Sequence, residues 1–164
     1  MPGLADPRME ELVSSAPQAL RVSVEGLDSL GARFPVEHTC DGPDRAPRVR
    51  VEGIPAGARA VALIMYDPDA PIGTFIHWLA VQPVEGGEAV FPSPGAVEGR
   101  NDFRRTGYGG PCPPRGHGVH RYYFLVLALG EVPGLRRGFS LRDLLRAARG
   151  RVLAWGYWMG TYSR

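Results

Sequence analysis

The sequence predicts a mainly β protein, a sandwich or a barrel, with one short helix near the C-terminus. Three observations carry that expectation. Glycine and proline are abundant, 22 and 16 of 164 residues, and they interrupt almost every stretch, so long helices cannot dominate. Several apolar runs have the length of a strand and stop at turn residues. Only residues 141–148 carry a clear helical period.

The elements follow in order. Residues 1–18 read as a leader with a weak amphipathic pattern around 9–13, expected to be part-helical, and residues 19–164 as a single domain. Leu20-Arg21-Val22-Ser23-Val24 alternates apolar and polar, the mark of a half-buried strand. Residues 25–33 read as a loop, and 34–47 as irregular chain around the turn Cys40-Asp41-Gly42-Pro43. Val49-Arg50-Val51-Glu52 alternates again and ends at Gly53. Ala60-Val61-Ala62-Leu63-Ile64-Met65-Tyr66 is continuously apolar, as in a central strand covered on both faces. Asp67-Pro68-Asp69-Ala70-Pro71 stops it, because proline cannot continue the ladder. Residues 75–82 form the next strand and carry His77 and Trp78. Residues 86–118 read as one long loop, rich in glycine, proline and arginine. Residues 120–129 are the strongest strand of the chain. Ser140 suits the N-cap of a helix over 141–148, where Leu141, Leu144, Leu145 and Ala148 share one face. Gly150 ends or kinks that helix, and the pattern of 152–162 fits helix and strand alike.

Composition excludes several classes. Hydrophobic residues make up 44% and charged residues 22%, unlike a disordered chain. At 164 residues one core can bury most of its apolar surface without a disulfide or metal staple. No apolar run approaches the roughly 20 residues of a membrane-spanning helix. The N-terminal region carries Asp6, Glu10, Glu11 and Glu25 and shows no secretory signal, so the cytoplasm is the expected compartment. A net charge of +2 is too balanced to point to nucleic acid or to a membrane. All 19 basic residues are arginine, which fits GC-rich codon usage. The lack of lysine excludes Schiff-base chemistry and a P-loop lysine.

Most groups with chemical potential fall in two segments. One is Tyr66-Asp67-Pro68-Asp69-Ala70-Pro71 followed by His77-Trp78; the other is Gly107-Tyr108-Gly109-Gly110-Pro111-Cys112-Pro113-Pro114 followed by His120-Arg121-Tyr122. In each, a stiff proline-rich loop leads to a strand bearing a histidine. Taken singly, each has a plain structural reading: a turn, a stiff surface loop, a satisfied histidine. Taken together they describe a small anion pocket at one end of a sheet. The prolines hold its walls, glycines open main-chain N–H groups, and histidines supply donors of adjustable charge.

These segments resemble the two signature motifs of the phosphatidylethanolamine-binding protein family, in its bacterial and archaeal Raf kinase inhibitor-like branch. Thr39-Cys40-Asp41-Gly42, Gly53-Ile54-Pro55, Gly99-Arg100-Asn101-Asp102-Phe103 and the ending Met159-Gly160-Thr161-Tyr162-Ser163-Arg164 resemble it too. The resemblance covers about residues 20–164. It implies an antiparallel β-sandwich with a small helical part near the C-terminus. It also implies a pocket for phosphate-like anions such as a phospholipid head group, formed by Asp67, Asp69, His77, Gly110, Pro111, His120 and Tyr122. The histidines and loop N–H groups would donate to the anion, and the carboxylates would orient the rings or read an ammonium. Arg121 points to the other face of its strand, so a salt bridge to a loop carboxylate is its expected role. The connection from Tyr66 to Trp78 is short and lacks the insertion of animal members, so their kinase partner is not carried over.

The expected function is binding and regulation without catalysis, cofactor or metal; a homodimer is compatible with the sequence. Two other classes compete. A stiff proline-rich loop suits a serine protease inhibitor. Asp67, His77 and His120 suit acid–base chemistry on a phosphoester, with Cys112 as a nucleophile. Two structural details are also expected. A cis bond at Ala70–Pro71 would turn the chain sharply. Cys40 and Cys112, the only cysteines, would lie near each other beside the pocket, whether bonded or free.

Overall fold

The alternating and the continuously apolar segments sort into different sheets. A computed structural model describes residues 3–164. In chain order its elements are α1 (Pro7–Val13), β1 (Arg21–Val24), β2 (Ala32–Arg33), a 3-10 turn (Val36–His38), β3 (Val49–Glu52), β4 (Ala60–Asp67), β5 (Phe75–Pro83), β6 (Glu88–Phe91), β7 (Val97–Glu98), β8 (His120–Leu129), α2 (Leu141–Ala148) and β9 (Val152–Tyr162). The alternating β1 and β3 join β6 in a three-stranded antiparallel sheet of order β1-β3-β6. The apolar β4, β5 and β8 lie in a six-stranded sheet of order β2-β9-β8-β4-β5-β7, antiparallel except where β2 meets β9.

Both faces of the large sheet are covered. Val61, Leu63 and Met65 of β4 and Tyr122, Phe124 and Val126 of β8 pack in the core against the small sheet. Ala60, Ala62, Ile64 and Tyr66 pack in a second core with Leu144, Leu145 and Ala148 of α2 and Met9 and Val13 of α1. A strand covered on both sides is apolar at every position, and all of β4 is buried. α2 carries the expected Ser140 cap, completed as a capping box by Asp143.

The N-terminal residues belong to the helical layer. Asp6 caps α1, Tyr66 donates its hydroxyl to the Leu4 carbonyl at 2.7 Å, and Trp155 Nε1 donates to the Ala16 carbonyl at 3.1 Å. Among the described residues no helix is long and apolar enough to cross a membrane.

Three local features depart from or complete the sequence reading. Residues 152–162 form a strand: Gly150, at φ +78°, turns the chain after α2, and β9 then pairs with β8 from Val152 to Tyr162. The long loop over 86–118 contains two short strands, β6 on β3, whose Glu88-Ala89-Val90-Phe91 does not alternate, and β7 on β5, which has two residues; the loop over 25–33 likewise ends in the two-residue β2 on β9. The cis bond expected at Ala70–Pro71 is trans; among the described residues the cis bond is at Phe91–Pro92. The Ala70 carbonyl accepts the Gly73 N–H at 3.1 Å, which makes Pro71 the second residue of a β-turn. Its fixed φ suits that place in the trans form, whereas cis proline takes the third.

The N-terminal crossing sets a steric demand on β9. The Leu20 backbone passes so close to Gly156 that a Cβ there would sit 2.3 Å from the Leu20 carbonyl oxygen. Gly156→Ala is expected to cost about 1–3 kcal/mol. Urea unfolding would show a lower midpoint at unchanged slope; an unchanged midpoint would mean that this crossing yields freely.

Candidate functional site

Three neighbouring strands of the large sheet, β4, β5 and β8, end together. β4 is antiparallel to both β5 and β8, so its C-terminal end lies beside their N-terminal ends. Alternation puts Asp67 on the same face as Met65, and His120 on the same face as Tyr122 and Phe124, toward the small sheet.

β5 reaches that face through a bulge. Tyr66 pairs with Ile76 and Met65 with Trp78, which leaves His77 as an extra residue without a partner. An extra residue re-aims the side chains around it. Ile76 accordingly packs in the helical core and Trp78 in the core between the sheets. His77 meets Tyr122 edge-on, with ring centroids 5.2 Å apart.

A pocket of about 180 Å³ opens where these ends meet. Asp67, His77, His120 and Tyr122 supply its polar groups. Ala70, Pro71, Phe75, Phe103, Cys112, Pro113 and Pro114 supply the walls. Asp69, Gly110 and Pro111 stand outside this lining.

Each polar group is held by a defined partner. His77 is 3% exposed, and its Nδ1–H donates to the Gly109 carbonyl at 2.6 Å. Burial holds its pKa down to about 4, so the ring is neutral near pH 7 and its Nε2 is an acceptor. His120 is 2% exposed, and its Nδ1–H donates to Asp67 Oδ2 at 2.6 Å. Its Nε2 meets Nδ1 of the exposed His117 at 2.6 Å. Burial pushes the Asp67 carboxyl up, against the hydrogen bonds from His120 and the Asp69 N–H that favour its charge. Burial likewise raises the Tyr122 hydroxyl, which stays protonated.

Asp69 faces sideways. It takes Arg121 in a two-point ion pair, Nε to Oδ2 at 2.9 Å and Nη2 to Oδ1 at 2.7 Å, and also accepts the Arg121 N–H. That arginine holds the Asp69 carboxyl below its usual range. Arg121 thus has the role expected of it, with Asp69 as the loop carboxylate.

The main-chain N–H groups of the glycine loop, expected to face an anion, are used to join loops. The Gly110 N–H donates to Asp44 Oδ1 at 3.0 Å, and the Gly109 N–H donates to the His77 carbonyl at 2.9 Å. The Pro111 carbonyl accepts the Cys40 N–H at 3.1 Å. The Gly110 position admits no side chain, since a Cβ would lie 2.1 Å from the His38 carbonyl oxygen. Cys40 and Cys112 form a disulfide with Cα atoms 5.4 Å apart. Arg164 adds a hydrogen bond to the Pro113 carbonyl at 3.2 Å. These ties fix the proline wall.

Phe75, Phe103 and His117 escaped the sequence reading. Asn101 sets Phe103: its side chain accepts the Phe103 and Arg105 N–H groups and donates to the Gly107 carbonyl. The one sequence signal for Phe103 is its place at the end of Gly99-Arg100-Asn101-Asp102-Phe103.

Two outcomes follow for stability. The disulfide spans 72 residues, and opening it is expected to cost roughly 2–4 kcal/mol. Unfolding with and without reductant, beside a Cys40→Ser/Cys112→Ser variant, checks this. For His77 the folded pKa of about 4 lies below the unfolded value of about 6.5. Between those values the unfolded chain binds more protons, so stability falls as pH drops from about 6.5 to 4, by roughly 3 kcal/mol. His77→Gln should remove that part of the slope; an identical slope in both proteins would show that His77 is not its source.

Comparison with known proteins bears on the family and the fold. The family model for phosphatidylethanolamine-binding proteins matches residues 28–163. A UPF0098 protein of Pyrococcus abyssi is 45% identical over 151 residues, spanning 87% of this chain and 83% of that one. The crystal structure of a phosphatidylethanolamine-binding protein homolog from Chlamydia trachomatis superposes with a TM-score of 0.80 at 31% identity, over 90% of this chain and 99% of that one. YbcL of Escherichia coli gives 0.79 at 28% identity, over 89% and 99%. Fold, motifs and relatives converge: the chain belongs to the phosphatidylethanolamine-binding protein family, in the branch that contains the UPF0098 proteins and YbcL.

Proposed function

We propose that the pocket holds a phosphate-like anion, in particular the phosphoethanolamine head group of a phospholipid, and that the protein acts by binding and regulation. The observation that carries this is the buried Asp67–His120 pair at the pocket wall. A carboxylate on Nδ1 fixes the orientation of the ring, so that its Nε2, when protonated, is a charge-assisted donor to an anion. Neutral His77 complements it: its Nε2 accepts a hydrogen bond from an ammonium or from a P–OH group. A volume of about 180 Å³ suits a head group and leaves the acyl chains outside. The family name supports the same ligand class.

A catalytic reading has less support. Cys112 is tied to Cys40 and cannot serve as a thiolate nucleophile. Binding without turnover is therefore the proposal.

Calorimetry with inorganic phosphate and with glycerophosphoethanolamine tests it. Both should bind, and His120→Ala should weaken both by roughly 1.5–3 kcal/mol while the melting temperature holds. Absence of binding by the wild-type protein, or affinity unchanged by the substitution, would overturn the reading. Hydrolysis of a phosphomonoester or phosphodiester would overturn its non-catalytic part.

A further inference from the structure

We infer that His117 is the proton port and displaceable cap of this pocket, so that each anion bound takes up a proton. The inference rests on the proposed anion site and adds to it a residue that the motifs left unassigned.

The geometry is a chain of three groups. Asp67 accepts from His120 Nδ1, and His120 Nε2 meets His117 Nδ1, each contact 2.6 Å long. The two ends differ in environment. Asp67 and His120 are buried, and His117 is exposed. His117 sits between Gly116 at φ +77° and Gly118 at φ +95°. The turn itself is held, with the Gly116 N–H donating to the Arg164 carbonyl and the His117 N–H to the Pro114 carbonyl, each at 3.1 Å, so displacement of the cap is a rotation of the exposed His117 side chain into solvent.

Counting protons shows what the chain can do. In the neutral pair His120 carries its proton on Nδ1, toward Asp67, and its Nε2 is a lone pair. His117 Nδ1–H donates to that lone pair. An anion cannot bind there, because it would meet a lone pair and the imidazole of His117. A solvent proton can add to the exposed Nε2 of His117. The Nδ1 proton of His117 then crosses to His120 Nε2. His120 becomes an imidazolium with N–H bonds to both sides, and His117 is again neutral, with its proton on Nε2. When His117 turns away, the Nε2–H of His120 faces the anion. One proton enters, one N–H···N contact breaks and one N–H···anion contact forms.

His117 is the exposed group that reaches the His120 ring by a hydrogen bond, and the pocket that His120 lines is the other side from which solvent meets it. The charged or titratable groups near it are Asp67 from β4, His77 from β5, the Asp69–Arg121 ion pair, Tyr122 on β8 itself and Tyr162 paired with it on β9. Among the described residues only Asp67 and His117 hydrogen-bond to the His120 ring.

The test is calorimetry with glycerophosphoethanolamine, a phosphodiester whose charge is constant between pH 6 and 8. Titrations at pH 8 in buffers of different ionisation enthalpy report the protons taken up. Proton uptake on binding is expected, since the anion selects the form of the His117–His120 pair that carries the added proton. His117→Ala removes the cap, and affinity at pH 8 should rise about two- to tenfold, the worth of one hydrogen bond. An unchanged melting temperature is expected, because His117 is exposed. Zero uptake overturns the proton port. Unchanged or weaker affinity in His117→Ala overturns the cap, the latter by making His117 a direct ligand contact. Failure of the wild-type protein to bind overturns the anion site together with this inference, whereas binding with neither signature overturns the role of His117 alone.

Discussion

The large sheet is covered on both faces, and most of the structure follows from that. Between the small sheet and the helices a strand has no side on which to place a polar residue. β4 and β8 are accordingly buried almost throughout. Polar chemistry is confined to the strand ends, where the loops replace the layers. Asp67 stands at the last position of β4 and His120 at the first position of β8, so antiparallel pairing delivers both to one place. The pocket is sited by the same constraint that makes the strands apolar.

Burial at that end imposes a second demand: every polar group needs a partner. Asp67 and His120 satisfy each other, and His77 uses the Gly109 carbonyl. The glycine loop spends its N–H groups on Asp44 and on the His77 carbonyl. Each buried histidine keeps a second ring nitrogen, that of His120 in contact with His117 Nδ1, and the two rings differ. One ring is neutral and accepts; the other is held by a carboxylate. Under the proposal above, a head group offers its anion to His120 and its ammonium to the neutral acceptor His77.

The sequence reading recovered the strands whose pattern reflects burial. β4 and β8 were evident from unbroken apolar runs, β1 and β3 from alternation, and α2 from its period and cap. It did not find β2, β6 and β7: β2 and β7 have two residues each, too few to show a period, and the four of β6 do not alternate as those of β1 and β3 do. It left β9 open because its glycines and aromatics suit either element, and only pairing with β8 decides. At the site, Asp67, His77, His120 and Tyr122 were legible because the motifs place them at strand ends. The pocket walls were less so. Phe75 and Phe103 come together through the Asn101 turn, and the Gly110 N–H was expected to be free because the position of Asp44 cannot be inferred from sequence. The disulfide was left open for the same reason: proximity across 72 residues is a property of the fold.

The bulge at His77 gives β5 two phases. Beyond it, Trp78 and Ala80 point between the sheets; before it, Ile76 points to the helices. A hydrophobicity profile read in a single phase across this strand therefore assigns one half of it to the wrong side. Deleting one residue at this point would merge the phases and trade the pocket histidine for a core position. The segment can exchange one side chain for another, but it cannot change its length: here the spacing of the chain, as much as the identity of its residues, encodes the site.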